Sequence, residues 1–494
     1  MTIVDTAPAA AQLANTLPDL DWITDPARVA RLSQDFAWFS PVLKRQLEGK
    51  RADIAVRPRS EDEIRAVVAA CARSGVPITL RGSGTGNYGQ AVPLFGGVVL
   101  DLSGYNGFGW VRGDVGRAQA GIRLAEFDKQ ARPHGCELRW LPSTFRSATL
   151  GGLFGGGFGG AGSITYGPMA APGNVLGARV MSVEPEPQVI ELRGAEAMLL
   201  HHVYGTNGIV LELEVALAPA ISWLECVAAF PTFDAGLEFS SALAAAPGIV
   251  KKEICFLSSA VLALIPPLGE LVQPGESSVL LLLAPSSEAA AGALAQRFGG
   301  RIVQRRDDAE VKKSNRTLLE YTWNHTTLCA LKLDKSLTYI QSRFQAARHV
   351  AQAKELERVL GEEVLMHLEF LRGMDGAANC SGLQLVRYTT DARLEEIMQI
   401  HRDLGVGIND PHVFVLEDGQ QGALDPAVLA MKSRLDPQGL LNPGKLRGWT
   451  AANALRQGPH NATIANPFPI AESRAAPISG APRAWKSAAI RLRA

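Results

Sequence analysis

The spacing of apolar residues changes along the first half of the chain and predicts alternating helices and strands. Residues 25–32 carry apolar side chains at helical spacing, which predicts a helical lead-in over residues 1–50. Beyond it, short apolar runs bounded by turn residues predict strands at 53–58, 76–80, 97–102, 175–183 and 208–217. Helices are predicted between them, one of which opens with a capping-box spacing from Ser60 to Glu63. This alternation indicates an α+β domain over residues 51–219.

The second half of the chain predicts another domain, over residues 220–440. Its last part has the order β-α-β-β-α-β, with strands predicted at 337–343, 364–371, 382–388 and 407–416. That order is the split-βαβ, or ferredoxin-like, arrangement. We therefore expect an antiparallel sheet with helices on one face and the other face free to cover a ligand. Residues 450–494 are rich in Ala, Pro and Arg without periodicity, which predicts a disordered or surface-wrapping tail.

Composition and charge limit the classes of partner. Among the 494 residues, Lys plus Arg and Asp plus Glu balance at 49 each, so no net field would attract nucleic acid or an anionic membrane. The longest aliphatic runs are much shorter than a membrane span requires. The N-terminus lacks the basic region of a secretory signal, and the six cysteines include no C-x-x-C pair. These features favour a cytoplasmic protein with a small-molecule substrate, and they leave the oligomeric state open, a homo-oligomer included.

Two glycine-rich segments provide the strongest chemical signal. The first loop comprises residues 81–89 and the second comprises residues 142–160. Backbone without Cβ atoms can bring N–H groups against a bulky anion or a flat ring, so two such loops predict a cradle for a large phosphorylated cofactor. The first loop also matches G-x-G-x-x-G, but it continues into a strand instead of opening a helix. This argues against a Rossmann dinucleotide site.

Six motifs together resemble a known family. They lie at residues 76–86, 96–103, 120–124, 149–152, 204–210 and 435–445. In this order they are similar to the FAD-linked oxidases of the vanillyl-alcohol oxidase and p-cresol methylhydroxylase (PCMH) type. The resemblance implies a PCMH-type FAD-binding domain of two α+β subdomains that faces a ferredoxin-like substrate domain. It also implies that residues 441–449 return to the FAD-binding domain.

The resemblance also implies which residues bind FAD. We expect the first loop to hold the pyrophosphate and the second loop to pass along the other side of the cofactor, with Ile209 and Val210 beside its adenine or ribityl part. Ile209 and Val210 are equally well explained as strand core. The predicted cofactor-binding residues are Arg81, Gly82, Ser83, Gly84, Thr85, Gly86, Pro142, Ser143, Thr144, Gly151, Gly152, Gly156, Gly157, Ile209, Val210, Asn442 and Lys445.

FAD is expected to be held without a covalent bond from either loop. The berberine-bridge branch of the family places a linking histidine where this chain has Thr85, and no cysteine lies between Pro142 and Tyr166. A link from a histidine of the substrate domain, as in the vanillyl-alcohol branch, stays open.

Three histidines are the candidate catalytic residues. A flavin enzyme must position the carbon that loses a hydride and must accept a proton from its hydroxyl, for which histidine is suited. His325, His367 and His412 are the candidates, and alternation along a strand places His367 and Glu369 on one face. On the predicted sheet these three histidines would converge over the flavin, although each is also explained as a structural histidine.

The candidate substrate-lining residues are Trp323, Asn324, Glu369 and Phe370. The related D-lactate and glycolate dehydrogenases carry an H-x-G-D-G-N-x-H metal motif that this chain lacks. We therefore predict no metal, although His367, Glu369 and His412 have ligand chemistry. An aromatic or larger alcohol is favoured over a simple 2-hydroxy acid, in an apolar pocket that includes Trp323 and Phe370.

The sequence thus predicts an FAD-dependent oxidoreductase that takes a hydride from a hydroxyl-bearing carbon of an alcohol, phenol or hydroxy acid. Its flavin would be reoxidised by molecular oxygen or by an electron carrier, and the small residues of 155–157 favour oxygen. Two alternatives stay open: an NAD(P)H-dependent reductase of the cell-wall precursor type and a D-2-hydroxy-acid dehydrogenase. A flavin-free binding protein that retains the fold is a third.

Overall fold

The computed structural model describes residues 6–420 and 424–449. The tail predicted over 450–494 lies outside these residues. Within the described part, no helix combines the length and the apolar composition needed to cross a bilayer.

The first half of the chain contains seven helices and ten strands in its described part. The helices are α1 (Ala7–Thr16), α2 (Pro26–Leu32), α3 (Pro41–Gln46), α4 (Glu61–Ser74), α5 (Leu124–Ala131), α6 (Leu150–Gly156) and α7 (Ser163–Tyr166). The strands are β1 (Trp22–Ile23), β2 (Ile54–Val56), β3 (Ile78–Arg81), β4 (Val98–Asp101), β5 (Phe108–Arg112), β6 (Val115–Gln119), β7 (Cys136–Leu138), β8 (Val175–Met181), β9 (Val189–Arg193) and β10 (Ile209–Pro219). Short 3₁₀ helices cover Phe36–Phe39, Leu102–Gly104, Arg132–His134 and Ala197–Leu200.

These elements build two sheets. The first has the order β1-β2-β4-β3, in which β4 pairs in parallel with both β2 and β3. Helix α4 connects β2 to β3. It begins where the Ser60 hydroxyl accepts the Glu63 N–H, as predicted, and ends at Gly75, whose φ is 65°. The second sheet is antiparallel, with the order β5-β6-β10-β8-β9 and β7 beside β10.

The second half contains the remaining elements. The helices are α8 (Phe233–Ala245), α9 (Ser259–Leu262), α10 (Pro266–Gly269), α11 (Glu288–Arg297), α12 (Asp308–Ser314), α13 (Asn324–Leu333), α14 (His349–Leu360), α15 (Asp391–Asp403), α16 (Leu416–Gln420) and α17 (Pro426–Leu435). The strands are β11 (Leu224–Phe230), β12 (Lys251–Leu257), β13 (Ser277–Leu283), β14 (Arg301–Arg306), β15 (Leu337–Tyr339), β16 (Gln341–Arg343), β17 (Val364–Leu365), β18 (His367–Arg372), β19 (Ala378–Gly382), β20 (Leu385–Arg387) and β21 (Gly407–Asn409). Two 3₁₀ helices cover Pro285–Ser287 and Leu318–Tyr321.

The large sheet of this half consists of two ferredoxin-like units. Its order is β14-β11-β13-β12-β18-β19-β16-β21. The strands and helices of 224–306 follow the same β-α-β-β-α-β order as those of 341–409, and the two four-stranded units join through β12 and β18. The predicted ferredoxin-like unit is therefore present, and the sequence analysis missed the first copy.

Three of the four predicted strands in the second copy are interrupted. The runs at 337–343, 364–371 and 382–388 contain short strands in two sheets, because β15, β20 and β17 form a separate three-stranded sheet. The strand predicted over 407–416 is wrong beyond Asn409. Asp410 precedes Pro411, which has no N–H to donate, and the Asp410 carboxylate accepts the His412 N–H at 2.8 Å in a turn.

A buried ionic cluster joins the two halves close to their connection at 220–223. Glu137 of β7 accepts from Lys252 of β12 at 2.6 Å, from Arg132 at 3.0 Å and from the Trp223 ring at 2.9 Å. Glu137 and Lys252 are buried. Four donor groups therefore surround one carboxylate, since the Ile221 N–H also bonds it at 3.2 Å.

Candidate functional site

The first glycine loop leaves strand β3 with unpaired backbone donors. In the part of the chain that the structure describes, the N–H groups of residues 83–87 bond to no protein acceptor. Residues 81–86 are partly exposed, and Gly84 has a φ of 65°, which favours glycine. A partly exposed run of unpaired N–H groups is suited to binding a phosphate group.

The two glycine loops touch each other. A Cβ on Gly82 would lie 2.2 Å from the Thr149 hydroxyl oxygen, so only glycine allows this approach. The Ser83 hydroxyl donates to the Ser147 carbonyl. Thr149 also caps α6 by accepting the Gly152 N–H at 3.1 Å. The two glycine-rich loops therefore lie directly against each other.

The rest of the second loop is a turn followed by a short glycine helix. The Pro142 carbonyl accepts the Phe145 N–H, and the Thr144 carbonyl accepts the Ala148 N–H, each at 2.8 Å. Ser143 is buried beside this turn. Residues 155–157 are partly exposed at the end of α6, and Gly151 packs against Ala120.

Arg81 braces the first loop from the side of the lead-in. Its guanidinium donates to the carbonyls of Leu32 at 3.0 Å, Gln34 at 2.5 Å and Ser83 at 3.4 Å. The Phe36 N–H donates to the Gly86 carbonyl at 2.7 Å. Arg81 therefore stabilises the loop through three backbone carbonyls.

Residues 441–449 hold the segment that follows the first loop. Asn442, at a φ of 42°, donates to the carbonyls of Gln90 and Tyr204 at 2.8 Å each. Lys445 donates to the Gly89 carbonyl at 2.7 Å and is fully buried. Burial lowers the pKa of Lys445 to about 7, which the buried carboxylate of Asp35 partly opposes.

Gln90 connects the loops at their other end, and the sequence analysis missed it. Its amide donates to the Gly156 carbonyl at 3.3 Å and accepts the Tyr88 N–H at 2.9 Å. The Tyr88 hydroxyl donates to Gln341 of β16 at 2.6 Å. Gln90 is the fourth residue after Gly86, and only the fold brings it to Gly156.

Ile209 and Val210 begin strand β10. Ile209 is fully buried and packs with the core of the first sheet, whereas Val210 is partly exposed.

These features fit an adenine-linked flavin. Unpaired donors lie along one loop, the second loop contacts it, and partly exposed small residues continue to 157. The chain that follows is attached to the large sheet, because the Gly162 N–H donates to the Lys252 carbonyl at 2.5 Å and the Thr165 hydroxyl to the Lys251 carbonyl at 2.8 Å. Leu153 and Phe154 of α6 also share one hydrophobic core with Cys255 of β12, so the second glycine loop lies on the side of the sheet that carries Cys255.

A buried polar cluster occupies that face of the large sheet. Strand register places Cys255 of β12 opposite Glu369 of β18, and alternation puts Glu253 and His367 on the same side. His367 Nε2 lies 2.7 Å from Glu369 Oε1. Glu369 Oε2, although fully buried, has no hydrogen-bond donor among the described residues. The sequence analysis paired His367 with Glu369 and missed Glu253 and Cys255.

Trp323 completes this cluster from the start of α13. Its N–H donates to Glu369 Oε1 at 2.5 Å and its ring N–H approaches Glu253 Oε2 at 3.4 Å. Its φ of 49° is uncommon for a residue with a side chain, and such backbone strain is often found at functional sites. The neighbouring Asn324 has a buried Oδ1 without a donor among the described residues.

Burial dominates the charge states of the cluster. It raises the pKa of Glu369 to about 7 and that of Glu253 well above its ordinary value. It lowers the pKa of His367 to about 4. His367 is therefore neutral at neutral pH, and Glu369 can exchange a proton there.

The three predicted histidines do not converge. One row of directly paired residues crosses four neighbouring strands of the large sheet and consists of Leu368, Gly382, Ser342 and Ile408. Three strand spacings correspond to about 14 Å, so His367 at one end of this row lies far from His412, which follows β21. His412 instead bonds the Ser40 hydroxyl at 2.7 Å. Burial lowers its pKa to about 4.

His325 and Phe370 also lie apart from the polar cluster. His325 is in the first turn of α13, where its N–H donates to the Thr322 carbonyl at 3.1 Å, and burial lowers its pKa. Phe370 points to the opposite face of the sheet and packs against His349 of α14, with ring centroids 6.0 Å apart. It therefore cannot share a pocket with Glu369, because neighbouring strand residues face opposite sides.

Comparisons with known proteins identify the cofactor. Residues 52–193 match the family model of an FAD binding domain. An uncharacterized FAD-linked oxidoreductase of Mycobacterium tuberculosis is 30% identical over 192 residues, which are 36% of this chain and 41% of that protein. The glycolate oxidase subunit GlcD of Escherichia coli is 27% identical over 34% of each chain. A D-lactate dehydrogenase of Archaeoglobus fulgidus is 27% identical over 37% of this chain and 42% of its own.

Solved structures extend the similarity to the whole fold. The 4-ethylphenol oxidase of Gulosibacter chungangensis has a TM-score of 0.62 at 17% identity, covering 89% of this chain and 96% of its own. An alkyldihydroxyacetonephosphate synthase has a TM-score of 0.66 at 15% identity, covering 87% and 86%. The predicted PCMH-type fold and the FAD cofactor are confirmed. The chain spans about two fifths of the length of the M. tuberculosis relative, so the relatives' activities do not transfer with the domain.

Proposed function

We propose that this chain, which belongs to the FAD-linked oxidoreductases with a PCMH-type FAD-binding domain, oxidises a hydroxyl-bearing carbon of a small molecule. The observation that carries the proposal is the buried pair of His367 and Glu369 on the sheet face beside the flavin cradle. FAD, held by the two glycine loops, supplies the hydride acceptor. The polypeptide must then supply a proton acceptor.

Glu369 is suited to that role. Its pKa of about 7 leaves a substantial fraction ionised at neutral pH, and a base with a pKa near the working pH is effective. His367 and the Trp323 N–H fix its Oε1 at 2.7 and 2.5 Å. The substrate would approach past Trp323, whose side chain is partly exposed, and its hydroxyl proton would pass to the carboxylate of Glu369.

The relatives support oxidation of a hydroxyl compound as the reaction class, but they do not single out one substrate. Glycolate oxidase and D-lactate dehydrogenase are named for 2-hydroxy acids, and 4-ethylphenol oxidase for a phenol. All three name hydroxyl compounds. The substrate would therefore be a hydroxy acid, an alcohol or a phenol.

Anaerobic reduction of the purified flavoprotein tests the proposal. Alcohols, hydroxy acids and phenols are screened for loss of the oxidised flavin absorbance, and at least one class is expected to bleach it. Bleaching by NADPH alone would instead select a nicotinamide-dependent reductase. A protein that folds correctly but takes up no FAD would contradict any flavin chemistry.

The base is tested with Glu369→Gln, which keeps the size of the side chain. We expect the rate of flavin reduction to fall by about 10²- to 10⁴-fold, with FAD still bound. Glu225→Gln is the matched control, because Glu225 is also a buried carboxylate of the large sheet but bonds Arg306, Thr317 and the Leu318 N–H. Equal losses in both variants would reject Glu369 as the base.

A further inference from the structure

The inference concerns the second carboxyl of the buried cluster, which the proposed proton acceptor does not use. Glu253 and Glu369 are both inaccessible to solvent, and they lie on the same face of adjacent strands. Among the described residues, no Lys or Arg forms an ion pair with either carboxylate. Two buried negative charges without a cation would be strongly unfavourable.

The hydrogen bonds show where a proton is missing. Glu369 Oε1 has two partners, the Trp323 N–H and His367 Nε2, whereas Oε2 has no donor among the residues that the structure describes. A buried oxygen without a donor is unfavourable, because it has lost its hydrogen bonds to water. The Glu253 carboxyl contacts Glu369, and a proton on it would supply that donor.

We propose that Glu253 carries a proton and donates it to Oε2 of Glu369, so that the two carboxyls act as one proton-sharing dyad. The dyad keeps a single negative charge, on Glu369, ready to accept the proton of the substrate hydroxyl. When that proton arrives, Glu369 becomes a neutral carboxylic acid and Glu253 stays neutral. The catalytic part of this role rests on the proposed function, whereas the bound proton does not.

The sheet contributes two groups to the surroundings of the dyad. His367, which burial keeps neutral, has one ring proton for two acceptors, Glu369 Oε1 at 2.7 Å from Nε2 and the Leu383 carbonyl at 3.2 Å from Nδ1, and the dyad assigns that proton to the shorter contact. The Cys255 thiol, whose pKa burial raises, also bonds the Glu369 carboxylate. Helix α13 contributes Trp323 and the Thr326 hydroxyl, which lies 3.4 Å from His367 Nε2.

The distance between His367 Nε2 and Glu369 Oε1 argues against these two atoms as ligands of one metal ion. The ligand atoms of Cys255, His367 and Glu369 lie within 4.8 Å of one another. However, two ligands of a tetrahedral zinc ion, each about 2.0–2.2 Å from it, would lie more than 3 Å apart, and His367 Nε2 is 2.7 Å from Glu369 Oε1. That distance is a direct hydrogen bond.

The first experiment detects the proton without any substrate. Infrared difference spectra between the wild-type holoenzyme and Glu253→Gln, which keeps a donor to Glu369, should contain at neutral pH the carbonyl stretch of one protonated carboxyl lost in the variant. Absence of this band, or one bound equivalent of a divalent metal at the cluster, would overturn the dyad. This result is independent of which substrate reduces the flavin.

The second experiment uses the direction of a pH shift. In Glu253→Met, the Glu369 carboxylate loses a donor and its pKa rises. The acidic limb of the pH–rate profile of flavin reduction should therefore move to higher pH by about one unit or more. Glu253→Gln keeps an N–H donor and should stay within a few tenths of a unit of the wild type. If Glu253 were ionised, both variants would lose a like charge and their limbs would move to lower pH.

The two experiments separate the possible failures. A lost carbonyl band without a pH shift would keep the shared proton and reject Glu369 as the base. If Glu253→Gln does not fold, Glu253→Met provides the infrared comparison at about two pH units above neutral, where Glu369 is ionised in both proteins. A spectrum without the lost band in either comparison would overturn the dyad.

Discussion

Replacing Gly82 with alanine tests the contact between the two glycine loops. The added Cβ would lie 2.2 Å from the Thr149 hydroxyl oxygen, and ordinary contact begins at 3.4 Å. The loops must therefore separate by about 1.2 Å, or Thr149 must rotate and lose its 3.1 Å bond to the Gly152 N–H. Overpacking of this kind costs about 1–3 kcal/mol, and loss of an N-cap about 1 kcal/mol.

Part of that cost should appear as weaker FAD binding, because we propose that both loops hold the cofactor. We expect the Kd of the apoprotein for FAD to rise at least about tenfold, which corresponds to about 1.4 kcal/mol. Quenching of flavin fluorescence during titration measures it. Thr149→Ala removes the clashing oxygen, so Gly82→Ala in that background should weaken binding less than it does alone.

A glycine in open space provides the control. Gly292 lies inside α11, and a Cβ there would meet nothing within 4 Å. Gly292→Ala should leave FAD affinity unchanged and stabilise the fold by about 0.5–1 kcal/mol. A Kd for Gly82→Ala within twofold of the wild type would refute the reasoning, because the loops would then tolerate separation.

Three further predictions follow from the described contacts. Glu137→Leu leaves Lys252 as a buried uncompensated charge and should lower the free energy of unfolding by about 3–5 kcal/mol in urea, whereas a loss below 1 kcal/mol would reject the ionic cluster as a structural joint. In the folded protein the pKa of Lys445 is about 7, below its ordinary 10.5. Between these two pH values Lys445 therefore binds fewer protons in the folded protein than in the unfolded chain. Thermal unfolding should accordingly show the wild type gaining stability relative to Lys445→Met as the pH rises from 7 towards 10.5, and a constant difference would contradict this. FAD should be released into the supernatant by acid precipitation, since Thr85 replaces the linking histidine, and flavin retained in the pellet would show a covalent bond.

Local sequence was sufficient for the two glycine loops. Glycine runs at residues 81–89 and 149–160 have few other uses than close backbone approach, and the N-cap hydrogen bond of Ser60 fixed the start of α4. The second half was harder to predict. Asp410 and Pro411 end β21 early, and the copy of the ferredoxin-like unit at 224–306 has no motif that distinguishes it from ordinary strands and helices.

The sequence by itself determined the two glycine-rich loops and the pairing of His367 with Glu369, because each depends on residues close together along the chain. Only the tertiary structure decided that Glu253 and Cys255 join that pair and that His412 does not. The period of two along a strand fixes which side chains share a face. Which strands are neighbours depends on pairing between segments more than a hundred residues apart, as between β12 and β18, and burial of the whole sheet decides that pairing.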